Sequence, residues 1–142
     1  MKRSLICGQS TYYMEEGQGI PVIFIHGVGL DLNIWSEQIK ALSSKYRVIC
    51  YDMMGHGKSA CPPGPYDLEH FVKQLDNLFS YLNLSEAHLI GFSMGGLVAQ
   101  SYTLSNPHKV SSLTIMSSVS KRSVEQREGI LARVEQVEKQ GH

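Results

Sequence analysis

The sequence predicts an α/β protein whose mostly parallel sheet carries helices on both faces. After an opening hairpin, short apolar runs alternate with segments of helical periodicity, the order expected for parallel strands joined by crossover helices. The run at residues 22–25 is unbroken, as expected for a strand that is covered on both faces. A later run ends in Gly91-Phe92-Ser93-Met94-Gly95 and continues at once as an apolar helix.

The predicted elements comprise six strands and four helices. Strands are placed where short apolar or β-branched runs are bounded by turn residues, and helices where apolar residues recur every three or four positions. In chain order they are strands 5–7 and 11–15 joined by a turn at 8–10, strand 22–25, helix 34–42, strand 47–51, helix 68–82, strand 87–92, helix 94–105, strand 110–116 and a final helix that follows residue 123.

Several helix boundaries carry their own local signal. Asp67 is a good N-cap for the helix at 68–82, whose apolar residues form one stripe. Pro107 ends the helix at 94–105, because the residue before a proline is pushed out of helical geometry. Ser123 and Gln126 have the spacing of a capping box at the start of the last helix.

The turn centred on Ser93 is the candidate catalytic feature. A serine in a Gly-x-Ser-x-Gly turn between a strand and a helix projects from the end of the sheet on a strained backbone. Gly91 and Gly95 flank it because a Cβ there would crowd the neighbouring strand and helix. The Met94 N–H begins the helix without an intrahelical partner and points to where an oxyanion could form. An ordinary glycine-rich turn is the alternative interpretation of these residues.

Two further loops are expected at the same place as Ser93. The loops that begin at His26 and Asp52 also follow predicted parallel strands. Ligands of such sheets bind at the carboxyl ends of the strands. The sequence therefore predicts one site at which all of these loops converge.

Composition argues against several classes of partner. Thirteen basic and 13 acidic residues give no net charge and form no basic cluster, so neither nucleic acid nor an anionic membrane is a predicted partner. No segment reaches the roughly 20 apolar residues of a membrane span, and the apolar start is too short for a secretory signal. Cys7, Cys50 and Cys61 are odd in number and lack metal-ligand spacing, which favours a reducing, cytoplasmic location and predicts no metal site.

Three motifs together resemble the α/β-hydrolase superfamily. In chain order they are His26-Gly27-Val28-Gly29, Asp52-x-x-Gly55-His56-Gly57-x-Ser59 and Gly91-Phe92-Ser93-Met94-Gly95-Gly96. The resemblance implies that Ser93 is the nucleophile and that the N–H groups of Val28 and Met94 form the oxyanion hole. It implies hydrolysis of a carboxylic ester or lactone through an acyl-serine intermediate, with no metal or organic cofactor. The loop and elbow glycines would be Gly27, Gly91 and Gly95.

A finer resemblance, to 3-oxoadipate enol-lactonases and related small esterases, rests on residues 62–66 and the helix after residue 121. The superfamily resemblance assigns residues 1–120 to the N-terminal part of the hydrolase core and residues 121–142 to the start of a helical lid. In the family the triad acid and histidine follow the serine, but after Ser93 the only histidines are His108 and His142. We therefore expect an N-terminal portion of the fold, truncated after the sixth strand, that lacks the triad acid and histidine and is inactive alone.

Two other functions are left open by the sequence. One is a cofactor-free C–C hydrolase or perhydrolase, and the other is a non-catalytic binding module on the same fold.

Truncation would also leave the strand at 110–116 as an open edge and the apolar stripe of the last helix without a partner. Such surfaces associate with other chains, so we expect a homodimer or a larger assembly through the truncated edge, with a small-molecule ester or lactone as substrate.

Overall fold

A computed structural model describes residues 2–5, 10–118 and 123–140, which form a six-stranded sheet with helices packed on it. The strands are β1 (Lys2–Leu5), β2 (Tyr12–Glu16), β3 (Pro21–Ile25), β4 (Arg47–Tyr51), β5 (Ala87–Phe92) and β6 (Val110–Met116). The helices are α1 (Ser36–Leu42), α2 (Leu68–Tyr81), α3 (Met94–Ser105) and α4 (Val124–Gln140). Short 3₁₀ helices precede α1 (Leu32–Trp35) and β6 (Pro107–Lys109).

The strand order across the sheet is β1-β2-β4-β3-β5-β6. β2 pairs antiparallel with both β1 and β4, whereas β4, β3, β5 and β6 are parallel to one another. The chain passes from β3 to β4 on one side and then to β5 on the other side, so the strand order reverses at β3. Ligands of parallel sheets bind at such a reversal, outside the carboxyl ends of the strands. The predicted α/β architecture is confirmed, and its most favourable ligand position lies at the end of β3.

The central strand β3 contributes to two separate apolar clusters, one on each face of the sheet. Val22 and Phe24 pack in the cluster that contains Trp35, next to α1. Ile23 and Ile25 pack in the larger cluster that contains the apolar faces of α2 and α3. Burial on both faces therefore explains why the apolar run in this strand does not alternate with polar residues.

The first strand differs from the prediction. It lies at Lys2–Leu5 rather than at 5–7, because pairing opposite residues 12–15 satisfies the backbone groups on the outer edge of β2. Residues 6–9, on which the rest of the predicted strand and most of its turn fall, lie outside the described residues.

The helix predicted at 34–42 also begins differently. It is preceded by the 3₁₀ turn at Leu32–Trp35, because the Asp31 carboxylate accepts a hydrogen bond from the Asn33 N–H and caps this turn. The α-helix proper then starts at Ser36. The predicted helix therefore combines two kinds of helical turn that the apolar periodicity alone does not distinguish.

Both predicted capping motifs are confirmed. Asp67 Oδ1 accepts from the His70 N–H, and His70 Nδ1 accepts from the Asp67 N–H, each at 3.1 Å. Ser123 Oγ accepts from the Gln126 N–H at 3.2 Å, and Gln126 Oε1 accepts from the Ser123 N–H at 2.9 Å. In each case two backbone donors at the helix start are satisfied reciprocally.

The side of the sheet formed by β6 is open in the described part of the chain. β6 is the outermost strand there, and Ile115 and Met116 are each 43% exposed. In α4, the apolar residues Leu131, Val134 and Val137 are exposed as well. Within the described ranges, no helix is both long and apolar enough to cross a bilayer.

Candidate active site

Ser93 lies between the end of β5 and the start of α3, as the sequence predicts. Its φ of +53° and ψ of −117° place a residue with a Cβ in a conformation that such residues rarely adopt. The Ser93 N–H donates to the Met116 carbonyl at 2.9 Å, which ties the turn to β6. Its side chain makes no hydrogen bond to the helix that it precedes and is only half-buried. The hydroxyl is therefore not used in capping α3.

The glycines on either side of Ser93 allow the turn to pack against two strands. A Cβ on Gly95 would lie 2.5 Å from the His26 carbonyl oxygen and nearer still to that of Ile25. A Cβ on Gly91 would lie 2.6 Å from the Gly96 nitrogen, in the first turn of α3. Real Cβ atoms do not approach backbone atoms so closely, so only glycine permits this contact between the end of β3 and the start of α3.

The loop after β3 lies against the same turn. An added Cβ on Gly27 would lie 3.2 Å from the Ser93 Cβ and 3.3 Å from the Phe92 carbonyl oxygen. The next residue, Val28, has a largely exposed side chain. The structure therefore brings the backbone around Gly27 and Val28 to the end of the sheet at which Ser93 projects.

His26 is buried, and its ring connects the loops after β3 and β4. Its Nε2 accepts from the Met53 N–H at 2.9 Å. Because an amide can only donate, the ring proton is on Nδ1, which donates to the Gly27 carbonyl oxygen at 2.7 Å. Burial lowers the pKa of His26, so the ring is neutral near pH 7. Its one lone pair is occupied, and His26 is therefore not available as a base for Ser93.

Asp52 holds the loop after β4 in place. Its carboxylate accepts from the Leu32 N–H and from the Lys58 N–H, each at 2.8 Å. Its own carbonyl oxygen accepts from Ser59 Oγ at 2.6 Å. Gly57 has a φ of +51° and passes so close to the Asp52 carboxylate that no Cβ would fit. The residues of the second motif thus stabilise a loop instead of presenting groups for chemistry.

Comparison with known proteins agrees with this arrangement. Residues 20–138 match the family described as the alpha/beta hydrolase fold. The chain belongs to the α/β-hydrolase family. The resemblance carried by the three sequence motifs is therefore confirmed.

Three relatives in this family cover most of the chain. This chain is 36% identical to (E)-2-((N-methylformamido)methylene)succinate hydrolase of Acinetobacter baylyi, over 94% of this chain and 51% of that protein. It is 32% identical to 3-oxoadipate enol-lactonase 2 of the same organism, over 84% of this chain and 44% of that protein. The structure of a thermophilic esterase from Thermogutta terrifontis superimposes with a TM-score of 0.87 at 28% identity, over 99% of this chain and 55% of that one.

Two consequences follow from these relatives. The likeness to an enol-lactonase confirms the finer resemblance, and both named activities are hydrolytic. The chain spans about half the length of the curated relatives that it matches.

The buried polar residue Gln74 was not predicted from the sequence. Gln74 lies in α2 and is only 2% exposed. Its Oε1 accepts from the Met54 N–H at 2.9 Å, and its Nε2 donates to Thr11 Oγ1 at 3.0 Å and to the Asp52 carbonyl at 3.2 Å. The signal was its position in the apolar stripe, between Phe71 and Leu78, where a polar side chain needs buried partners.

The structure does not bring a base to Ser93 within the described residues. His56 contacts the backbone of its own loop, His70 caps α2, and His88 pairs with a serine of β6. His108 lies in the 3₁₀ helix before β6, and the glutamates of α4 are exposed. In that part of the chain, no group of three or more His, Cys, Asp or Glu side chains could hold a metal ion.

Proposed function

We propose that this protein is a serine hydrolase that cleaves a carboxylic ester or lactone through an acyl-Ser93 intermediate. The observation that carries the proposal is the strained backbone at Ser93, with φ +53°, packed against the loop at Gly27. A strained serine whose hydroxyl does not cap its helix is retained where the hydroxyl has another use. The esterase and the enol-lactonase among the relatives support the substrate class.

In the acylation step a general base removes the Ser93 hydroxyl proton while Oγ attacks the substrate carbonyl carbon. The carbonyl oxygen becomes an oxyanion, which the N–H groups of Val28 and Met94 stabilise. The tetrahedral intermediate collapses, and the leaving oxygen takes the proton from the base. Water then repeats the sequence on the acyl-serine and releases the acid. Each oxyanion donor is typically worth about 10²–10³ in rate.

The two proposed donors are of different kinds. The Met94 N–H lies at the first position of α3, where helix geometry leaves it without an intrahelical acceptor. The Val28 N–H belongs to a loop, and its direction depends on the peptide unit that it shares with Gly27. Gly27, Gly91 and Gly95 allow both loops to approach Ser93 closely. No metal or organic cofactor has a part in this scheme.

The base and its acid partner are proposed to come from outside the described residues. Residues 1–120 would then form the N-terminal part of the core, and residues 121–142 would begin the lid. The exposed apolar side chains of α4 support this division. Without its base, a serine hydrolase accelerates hydrolysis only about 10³–10⁴-fold over the uncatalysed reaction in water. The 142-residue chain alone should therefore show little turnover.

The proposal is tested with the full-length gene product. Turnover of p-nitrophenyl acetate and of a simple six-membered lactone should be lost in Ser93→Ala and kept in Ser85→Ala, an exposed serine before β5. The 142-residue chain should label slowly with a fluorophosphonate probe, and mass spectrometry should locate the label at Ser93.

Two results would contradict the proposal. Undiminished turnover in Ser93→Ala would assign the chemistry to another residue. Absence of turnover on every ester and lactone, with no labelling of Ser93 in the full-length protein, would favour the binding-module interpretation.

We also propose that the 142-residue chain associates with a second copy through β6 and α4. The exposed edge of β6 and the exposed Ile115 and Met116 support this proposal, because open strand edges and contiguous apolar surface are rarely left in water. A two-fold axis would be the simplest arrangement.

Light scattering across a dilution series measures this association. Ile115→Lys should shift the equilibrium toward the monomer, whereas Leu104→Lys, at an exposed position of α3, should not. A wild-type monomer at concentrations of tens of micromolar would show that the proposed association is wrong.

A further inference from the structure

Gln74 contacts the loop after β4 through every polar atom of its side chain. Its oxygen accepts one hydrogen bond and its nitrogen donates two, all to buried partners. A residue of α2 thereby reaches the backbone at residues 52–54, at the carboxyl end of β4. None of these three partners lies in the Ser93 turn, so any effect of Gln74 on that turn is indirect.

The peptide unit between Asp52 and Met53 carries the contact onward. Its carbonyl oxygen accepts from Gln74 Nε2 at 3.2 Å and from Ser59 Oγ at 2.6 Å. Its N–H donates to His26 Nε2 at 2.9 Å. The C=O and N–H of one trans peptide point in opposite directions, so a donor that holds the carbonyl also directs the N–H toward the imidazole.

The imidazole of His26 connects this peptide unit to a second one by hydrogen bonds from both ring nitrogens. Because Nε2 accepts from Met53, the proton lies on Nδ1 and is donated to the Gly27 carbonyl at 2.7 Å. That carbonyl belongs to the peptide unit whose N–H is that of Val28. Holding the oxygen therefore sets the direction of the Val28 N–H. Linked hydrogen bonds of this kind also polarise and strengthen one another.

We infer that Gln74 is a positioning residue that orients the Val28 N–H through the 52–53 peptide, the His26 ring and the 27–28 peptide. The functional meaning of this relay rests on the proposed function, in which the Val28 N–H is an oxyanion donor. The relay itself is a statement about tautomer and peptide orientation and can be measured separately. If Gln74 only stabilised the loop after β4, its replacement in a folded variant would leave the His26 tautomer unchanged.

Nuclear magnetic resonance of the 142-residue protein tests the relay. In the wild type, ¹⁵N spectra of the His26 ring should show the proton on Nδ1, and a scalar coupling across the hydrogen bond should join Met53 N to His26 Nε2. In Gln74→Met the Ser59 bond to the Asp52 carbonyl remains, but the Met54 N–H loses its acceptor. The scalar coupling should therefore decrease, the ring should populate some of the Nε2-protonated tautomer, and the Val28 amide resonance should shift.

Thr11→Val is the matched control. It removes one partner of Gln74 Nε2 and leaves the bonds to the Asp52 carbonyl and the Met54 N–H, so the His26 signature should be retained. Gln74→Asn is the second test variant, because its amide is one methylene too short to reach both backbone partners. Circular dichroism establishes which variants are folded.

Each outcome decides the inference. A folded Gln74→Met or Gln74→Asn variant with the wild-type coupling and tautomer would overturn it. Failure of both variants to fold would make Gln74 a residue of stability alone and would overturn it as well. A decrease of the coupling in either folded variant, together with its retention in Thr11→Val, supports the relay.

Kinetics of the full-length protein separate the relay from the proposed function. If both hold, Gln74→Met should lower kcat about tenfold with KM nearly unchanged, which is less than the 10²–10³ lost with a whole oxyanion donor. An altered tautomer with a wild-type kcat would leave the relay in place and remove Val28 from the proposed oxyanion hole.

Discussion

Replacement of Ser93 by glycine is expected to stabilise the protein, although it removes the proposed nucleophile. The backbone at Ser93 has φ +53° and ψ −117°, a conformation that costs a residue with a Cβ about 1–3 kcal/mol. Glycine avoids this cost, but its greater freedom in the unfolded chain opposes the gain by about 0.5–1 kcal/mol. The free energy of unfolding should therefore rise in Ser93→Gly by about 1 kcal/mol, within a range of about 0–2.5 kcal/mol.

Ser93→Ala is the control that isolates the Cβ. The serine side chain makes no capping bond, so alanine loses no such interaction and keeps the strained backbone. Its free energy of unfolding should lie within about 0.5 kcal/mol of the wild-type value. Urea denaturation at a single protein concentration measures all three proteins, and equal m-values would show that the unfolding transitions are comparable.

The comparison between the two variants decides the argument. A Ser93→Gly protein that is no more stable than Ser93→Ala would show that the turn is not strained in solution. The main structural support for a serine retained for its chemistry would then be lost. Glycine more stable than alanine, together with loss of activity in both, is the expected pattern.

Three other predictions concern Gly95, His26 and Asp52. Gly95→Ala should lower the free energy of unfolding by about 3 kcal/mol or more, because its Cβ would lie 2.5 Å from the His26 carbonyl oxygen. Gly129→Ala, in open space on α4, should raise it by about 0.5–1 kcal/mol, and urea denaturation compares the two. Burial lowers the pKa of His26 from its ordinary 6.5, so the imidazole of the unfolded chain becomes protonated at a higher pH than that of the folded protein. The free energy of unfolding should therefore fall as the pH drops below about 6.5. Thermal melts should show a smaller fall in His26→Asn, and an equal fall would argue against this reasoning. Asp52→Asn should lower the free energy of unfolding by about 1–3 kcal/mol, because the asparagine NH₂ would face one of the two backbone N–H donors that the carboxylate accepts from. An unchanged free energy of unfolding in urea would contradict this.

The elements that were predicted correctly depend on interactions within a few residues. The bounds of β4, β5, α3 and β6 agree with the apolar runs and turn residues of the sequence. Asp67 and Ser123 cap their helices through partners only three residues away. The turn at Ser93 was identifiable because the Gly-x-Ser-x-Gly pattern lies within five residues, although Gly95 is required by its close approach to the end of β3. Such features are encoded over short stretches and remain recognisable without the rest of the chain.

The boundaries that were missed depend on partners farther away. The first strand was placed too late because its position depends on pairing with β2. The 3₁₀ turn before α1 was missed because periodicity does not separate it from the α-helix that follows. In both cases the apolar pattern predicted the element, and the hydrogen-bond partners decided where it begins.

The sequence by itself determined the fold class, the serine turn and the three loops that meet at the end of the sheet. Only the tertiary structure decided what the buried polar residues do. Gln74 bonds to residues 20 and 63 positions away in the chain, and the tautomer of His26 depends on an N–H 27 positions away. Periodicity marks which side chains are buried, but a polar side chain takes its role from the donors and acceptors that folding places beside it.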